Sequence, residues 1–164
     1  INGGEFMVVI LRVDDRLLHG QVAFSWLNLL GPDAIVIAND EVMTNEIQKT
    51  AIKMAKPTGV KMSIRSLKGG IDLINDERVR DLKLFVVVKT TEDALALINS
   101  IHEHISLVNI GGLSNRTKGN NKIVKGVYLS DQDIINVKEI MKKVDKVDVR
   151  IVPTDPNKNI ATLI

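Results

Sequence analysis

Short apolar runs alternate with segments of helical periodicity along most of this 164-residue chain. The runs are rich in Val, Ile and Leu, and they lie at 7–11, 34–38, 60–64, 84–88, 107–110, 123–129 and 147–151. Strands that alternate with helices form a mostly parallel sheet with helices on both of its faces. The pattern therefore predicts an α/β fold built on an open, twisted sheet of about seven strands.

The runs differ in ways that indicate their positions in the sheet. Residues 84–88 form the most apolar run, which is typical of a strand in the middle of a sheet. Polar residues alternate within 60–64, which indicates an edge strand. Gly126 interrupts the run at 123–129, and the tail from Thr154 to Ile164 predicts no particular element.

Apolar residues three or four positions apart predict the helices between these runs. The second helix is predicted from four residues at this spacing, namely Met43, Ile47, Ala51 and Met54. Pro57 ends that helix. Thr90 and Ser130 stand where the caps of the fourth and fifth helices are expected.

The composition narrows the class of protein. Hydrophobic residues make up 45% of the chain, and its length suits one domain with a full core. Cysteine is absent from the sequence, which excludes thiolate chemistry and disulfides. A net charge of +2 with 3% aromatic residues does not favour nucleic-acid binding. Because no apolar run approaches the length of a membrane span, we expect a cytoplasmic protein.

The first six residues differ from the rest of the chain. Residues 1–6 precede the first methionine and are polar and glycine-rich, so we expect them to be an expression-vector remnant or a flexible terminus. Residues 7–164 contain no repeat, linker or low-complexity tract, and we expect them to form a single domain.

The loop between the first run and the first helix carries the residues most suited to chemistry. Residues 14–22 read Asp-Asp-Arg-Leu-Leu-His-Gly-Gln-Val. In an open parallel sheet, ligands bind at the carboxyl ends of strands, and helix starts offer unpaired amides to anions. His19 can act as a nucleophile there, the Arg16 guanidinium can pair with phosphate oxygens, and Gly20 lets the backbone approach a ligand. The loop therefore predicts phosphoryl chemistry.

The residues alone leave other interpretations of this loop open. Two acids and a histidine can bind a metal, but their spacing fits no common motif and Arg16 would repel a cation. The cluster can also be a helix cap with an ion pair, in which Arg16 neutralises Asp14 or Asp15. Adjacent residues in extended backbone point in opposite directions, so we expect only one of the two acids to orient the imidazole.

Two other groups of residues resemble sites only superficially. His102 and His104 are two positions apart and would point away from one another on a helix, so we expect them to mark a helix end. Gly111-Gly112 lacks the spacing of nucleotide-binding loops. We therefore expect no metal and no cofactor.

The segment Asp14-Asp15-Arg16-Leu17-Leu18-His19-Gly20-Gln21-Val22 resembles the active-site signature of the IIB components of the mannose/sorbose-type sugar phosphotransferase system. The resemblance extends from Met7 to the C-terminus in length and element order, and it includes Asn109-Ile110-Gly111-Gly112. It implies a cytoplasmic phosphocarrier that accepts a phosphoryl group from the IIA component. That group then passes to a sugar during transport through the IIC and IID membrane subunits.

The resemblance also implies the roles of individual residues. His19 would be phosphorylated through Nδ1, and Arg16 would bind the phosphate. The signature further implies that the phosphate site includes Asp14, Asp15, Gly20 and Gln21. The family fold has strand 1 near the sheet centre between strands 4 and 5, which would bring four residues to the rim of the His19 loop: Lys89, Thr90, Gly111 and Gly112.

Two competing functions are weighed against this one. A phosphohistidine hydrolase would need a second acid or base for water attack, and the sequence supplies none clearly. An anion-sensing regulatory domain would use the same loop without transfer. Leu17, Leu18 and Phe24 are expected either to surround a docking surface or to belong to the core.

Overall fold

The computed structural model describes residues 7–114 and 121–164. Its five α-helices are α1 Gly20–Leu30, α2 Glu46–Ala55, α3 Leu67–Ile74, α4 Thr91–Ser100 and α5 Asp131–Met141. Its nine strands are β1 Val8–Val13, β2 Ala34–Ala38, β3 Lys61–Arg65, β4 Leu84–Val88, β5 Leu107–Ile110, β6 Asn121–Val124, β7 Val127–Leu129, β8 Lys146–Val149 and β9 Lys158–Asn159. Short 3-10 helices occupy Glu41–Thr44, Glu77–Val79 and Ile160–Thr162.

Seven strands form the main sheet in the order β3-β2-β4-β1-β5-β8-β9. The first six strands of this order are parallel to their neighbours, and β9 is antiparallel to β8. The expected positions are confirmed, because β1 lies between β4 and β5, β4 is buried along its whole length, and β3 is an edge. The carboxyl ends of β1, β4 and β5 therefore meet at one edge of the sheet.

The C-terminal part of the sheet differs from the sequence prediction. Gly126, at φ 82°, does not merely interrupt one strand but turns the chain between β6 and β7. These two strands form a separate antiparallel hairpin, so the predicted sixth strand does not join the main sheet. The seventh strand of the sheet is instead β9, from the tail for which no element was predicted.

Helices cover both faces of the sheet, as predicted. On one face, buried residues of α3, α4 and α5 pack on strand residues such as Leu11 and Val86. On the other face, α1 and α2 contribute Trp26, Leu27 and Ile52 to a second apolar cluster. No helix in the described residues is long and apolar enough to cross a bilayer.

Helix α2 exists as predicted, but the apolar residues that predicted it do not face the core. Ile47 and Met54 are 85% and 82% exposed, and Met43 precedes the helix in a 3-10 turn. The side chain that α2 buries is Ile52. Since α2 lies near the edge of the sheet, its packed side consists of one buried isoleucine and three partly buried residues, Gln48, Lys49 and Ala55.

Candidate functional site

Backbone hydrogen bonds hold the loop after β1 between the two neighbouring strands. The Asp14 amide donates to the Val88 carbonyl at the end of β4, at 3.0 Å. The Asp15 amide donates to the Gly112 carbonyl beyond β5, at 2.9 Å. The loop that carries His19 is therefore attached to both adjacent strand ends.

A tight turn within the loop sets the direction of its side chains. The Leu17 amide donates to the Asp14 carbonyl, and Leu17 adopts a φ of +57°, which is uncommon for a residue with a Cβ. Leu17 and Leu18 are only 2% and 4% exposed, so they belong to the core and do not surround a docking surface. Their burial offsets the strain of the turn. Phe24, one turn into α1, is 57% exposed.

His19 is the N-cap residue of α1, and its side chain is 19% exposed. Its Nε2 lies 3.2 Å from Oδ2 of Asp14. An ionised carboxylate can only accept a hydrogen bond, so Nε2 carries the proton in the neutral ring. The lone pair is then on Nδ1, which is the nitrogen free to attack an electrophile.

The start of α1 differs from the starts of the other four α-helices in the described residues. Side chains of Asn45, Ser66, Thr90 and Ser130 accept hydrogen bonds from first-turn amides of α2, α3, α4 and α5. The His19 side chain makes no such bond to α1. The amides at the start of α1 therefore remain available to an anionic ligand beside the imidazole.

Asp14 is fully buried and ionised at neutral pH. Burial by itself would raise the pKa of its carboxyl group, but three contacts together outweigh that effect and lower the pKa below its ordinary value. These contacts are the hydrogen bond from His19, the charge of Arg12 and the bond from the Arg16 amide, which is 3.0 Å from Oδ1. Asp14 is therefore a fixed acceptor for the ring.

A polar row that the sequence prediction missed lies beneath Asp14. Arg12, Asn109 and Asp148 pair in register across β1, β5 and β8, and all three are buried. Arg12 contacts Asp14 at 2.9 Å, and Arg150 pairs with Asp148 at 2.7 Å. One signal for this row was available, because each of these residues stands between two apolar neighbours in the sequence.

The two remaining residues of the loop have different environments. Arg16 is exposed, and its guanidinium forms no ion pair with any residue that the structure describes. It can therefore reach a bound phosphate. Asp15 points away from His19, since its Oδ2 accepts bonds from the amide and hydroxyl of Ser114 at 2.9 and 3.2 Å. Asp15 thus fastens the loop to the segment after β5.

The four predicted rim residues follow β4 and β5, the strands on either side of β1, and each already has a contact within the protein. Lys89 pairs with Glu41 at 2.6 Å, and the Thr90 hydroxyl caps α4 by accepting from Asp93. Gly111 lies directly against the Arg12 guanidinium, and Gly112 contributes its carbonyl to the Asp15 amide. The polar loop predicted after Gly111-Gly112 includes Asn115 and Arg116, and these two residues lie outside the described residues.

The described residues contain no group of three or more potential metal ligands. His102 and His104 follow the end of α4, and His104 Nε2 lies 3.0 Å from Asp145 Oδ1. That contact lowers the pKa of the exposed Asp145 carboxyl group. These histidines therefore belong to an ion pair and a helix end, away from the loop after β1.

Comparisons with known proteins agree with this geometry. The sequence profile of the family described as "PTS system sorbose subfamily IIB component" matches residues 8–164. The sorbose-specific EIIB component of Klebsiella pneumoniae is 33% identical over 93% of this chain and 92% of that protein. The mannose-specific EIIAB component of Escherichia coli strain K12 is 28% identical over 98% of this chain and 49% of that protein.

A solved structure has the same fold. The crystal structure of the IIBSor domain of the sorbose permease from Klebsiella pneumoniae gives a TM-score of 0.87, with 32% identity and 94% of each chain covered. The profile and the structural match both extend over nearly the whole chain, and the loop after β1 lies within the residues that the profile matches. The chain therefore belongs to the sorbose subfamily of IIB components of the phosphotransferase system, which are transferases of sugar transport.

Proposed function

We propose that His19 accepts a phosphoryl group from a phosphorylated IIA component and that this group passes to a sugar during transport through IIC and IID subunits. The observation that carries the proposal is the position of His19. Its Nε2 faces the buried Asp14 carboxylate, and its Nδ1 is free beside the uncapped start of α1. On this proposal the protein acts in the cytoplasm, and residues 7–164 act as one domain.

The proposed step needs no proton transfer. The Nδ1 lone pair of neutral His19 attacks phosphorus, while the P–N bond of the donor phosphohistidine breaks and its electron pair returns to the donor ring. The donor histidine leaves neutral because its other nitrogen keeps its proton. Positive charge develops on the His19 ring and is stabilised by Asp14, which already accepts from Nε2.

The phosphoryl oxygens carry negative charge during the transfer. The Arg16 guanidinium and the amides of Gly20 and Gln21 would hold them, since the former is unpaired in the described chain and the latter have no intrahelical acceptor. Asp14 and Asp15 would shape the site from behind rather than contact the phosphate. Lys89 and Thr90 remain predicted contacts, because a lysine and a hydroxyl keep donors beyond their present partners.

A dedicated IIA partner is supported by the family. The mannose-specific EIIAB relative is about twice as long as this chain, and its printed name joins a IIA and a IIB function in one protein. A separate IIB chain would meet its IIA component by docking. The surface around His19 must therefore admit a second protein, and the partial exposure of the ring agrees with that requirement.

Transfer of labelled phosphate from a phosphorylated IIA component tests the proposal. We expect a stable phosphoprotein whose adduct is labile in acid and stable in base. Rapid release of free phosphate would instead indicate a phosphohistidine hydrolase. Absence of transfer, with inorganic phosphate still binding at the loop, would indicate an anion-sensing domain. Either of these two results would overturn the proposal.

A further inference from the structure

Arg12 is a buried arginine whose two terminal nitrogens donate to four acceptors within the protein. Its side chain is 2% exposed. Nη1 donates to Asn109 Oδ1 and to the Arg150 carbonyl, and Nη2 donates to Asp14 Oδ2 and to the Ile151 carbonyl. Four acceptors from β5, the loop after β1 and the segment after β8 therefore fix one guanidinium directly behind Asp14.

Two residues lie close to the guanidinium. A Cβ added to Gly111 would lie 2.5 Å from Nη2 and 2.7 Å from Nη1, so only glycine leaves room there. Cζ of Arg12 lies 5.5 Å from the centroid of the Trp26 ring. The Trp26 indole N–H donates to the Ile151 carbonyl, which holds the ring in position.

The charges behind His19 fall into two pairs. Arg12 pairs with Asp14, Arg150 pairs with Asp148, and Asn109 bridges the pairs by accepting from Arg12 and donating to Asp148. The other charged groups near Asp14 and His19 come from three places. The β1 strand and its loop contribute Arg12, Asp15 and Arg16. Strand β8 and the segment after it contribute Asp148, Arg150 and Asp155, and Lys89 follows β4 and pairs with Glu41 of a 3-10 helix.

Among these groups, only Arg12 contacts the Asp14 carboxylate through a charged side chain, since Arg16 contacts it through its backbone amide. A buried carboxylate without that partner would attract a second proton to the imidazole. An imidazolium has no lone pair and cannot attack phosphorus.

We propose that Arg12 is a positioning residue for phosphoryl transfer, because its charge neutralises Asp14 and lets that carboxylate orient His19 without converting the ring to imidazolium. This inference rests on the proposed function of His19. It also assigns Gly111 a role, since the absence of a Cβ at that position is what admits the guanidinium. Gly111 then acts through Arg12 and not by cradling phosphate.

The test compares pH profiles among variants. In Arg12→Gln, we expect the midpoint of the pH profile for phosphoryl acceptance to rise by about one unit. In Gly111→Ala, the displaced guanidinium should raise the midpoint by a smaller amount. In Arg12→Lys, the retained charge should keep the midpoint near that of the wild type. NMR titration of the His19 ring nitrogens in the unphosphorylated proteins should show the same order.

Two matched controls separate positioning from packing. Trp26→Phe removes the indole bond to Ile151 but no charge, so it should lower stability without moving the midpoint. Gly112→Ala is the second control and is used only in the ring titration. Its added Cβ would meet Asp14 Oδ1 at 3.5 Å, an ordinary contact, so the His19 titration should not move in this variant. An unmoved midpoint in folded Arg12→Gln, or an equal shift in Trp26→Phe, would overturn the inference.

The titration also distinguishes a failure of the Arg12 inference from a failure of the proposed function of His19. If Arg12→Gln does not fold, Gly111→Ala decides, and an unchanged ring titration in that variant would overturn the role of Arg12. If the wild-type protein accepts no phosphoryl group at any pH, the proposed function fails. The ring titration of the unphosphorylated protein would still show whether Arg12 sets the protonation state of His19.

Discussion

Two neighbouring strand-to-helix junctions at one edge of the sheet use their cap residues in opposite ways. At the β4–α4 junction, Thr90 has extended backbone and its hydroxyl accepts from the Asp93 amide at 3.0 Å. At the β1–α1 junction, His19 has the same kind of backbone, but its side chain turns to Asp14 instead. The first junction therefore caps its helix with a side chain, and the second leaves the first-turn amides of its helix without a side-chain acceptor.

The two cap residues therefore serve different purposes, stability at Thr90 and function at His19. A good N-cap side chain stabilises a protein by about 1 kcal/mol, and the start of α1 lacks that contribution. The loop is held instead by the buried Leu17 and Leu18 and by backbone bonds to the ends of β4 and β5. An anion held by α1 would recover what the missing cap withholds, which is what a phosphorylated site requires.

The largest expected effect comes from changing His19 to a better cap. His19→Ser should abolish phosphoryl acceptance, and its free energy of unfolding should exceed that of His19→Ala by about 0.5–1 kcal/mol, because serine can accept from the first-turn amides. His19→Ala is the matched control, since both variants lose transfer and lose the bond to Asp14. Labelled transfer from phosphorylated IIA and denaturant unfolding measure the two effects. Normal labelling of His19→Ala would show that another residue is the acceptor.

A smaller effect is expected when the arginine beside the open helix start is changed. Arg16→Lys keeps the charge but loses the planar fork, so transfer should fall about tenfold with the fold intact. Arg80→Lys is the control, since Arg80 is an exposed arginine near the opposite end of the sheet that pairs with Glu77. Equal transfer by Arg16→Lys and the wild type would remove Arg16 from the site.

The smallest effect is expected at the closed junction. Thr90→Ala should lower the free energy of unfolding by about 1 kcal/mol, because the Asp93 amide loses its acceptor. Phosphoryl transfer from phosphorylated IIA is then measured on the same variant. A fall in transfer well beyond a few-fold would show that the Thr90 hydroxyl also donates to phosphate, and so serves both junctions.

The contiguous part of the site was predictable from the sequence, and the part that depends on register was not. The sequence of residues 14–22 predicts a strand end, a helix start and a nucleophile within one segment. The row of Arg12, Asn109 and Asp148 required the strand order, because sequence separations of 97 and 39 residues divide its members. The available signal was a polar residue between two apolar neighbours in each of the three strands.

Two further differences have physical causes of the same kind. The apolar row on α2 was a correct sign of a helix, but its exposed position depends on how α2 lies over the sheet edge, and Ile52 alone gave no periodic signal. Strand β9 has only two residues, and it is held by its pairing with β8. Because both residues are exposed, its sequence has no hydrophobic pattern that would predict a strand. Tertiary contacts decide both features.

The central claim is that Asp14 fixes the His19 ring so that Nδ1 takes the phosphoryl group at an open helix start. NMR of the ring nitrogens and of phosphorus, after incubation with phosphorylated IIA, tests it most directly. The account predicts a bond from phosphorus to Nδ1 of His19, a proton on Nε2, and shifted amide signals at Gly20, Gln21 and Val22. Phosphorus on Nε2, or on any residue other than His19, would contradict it.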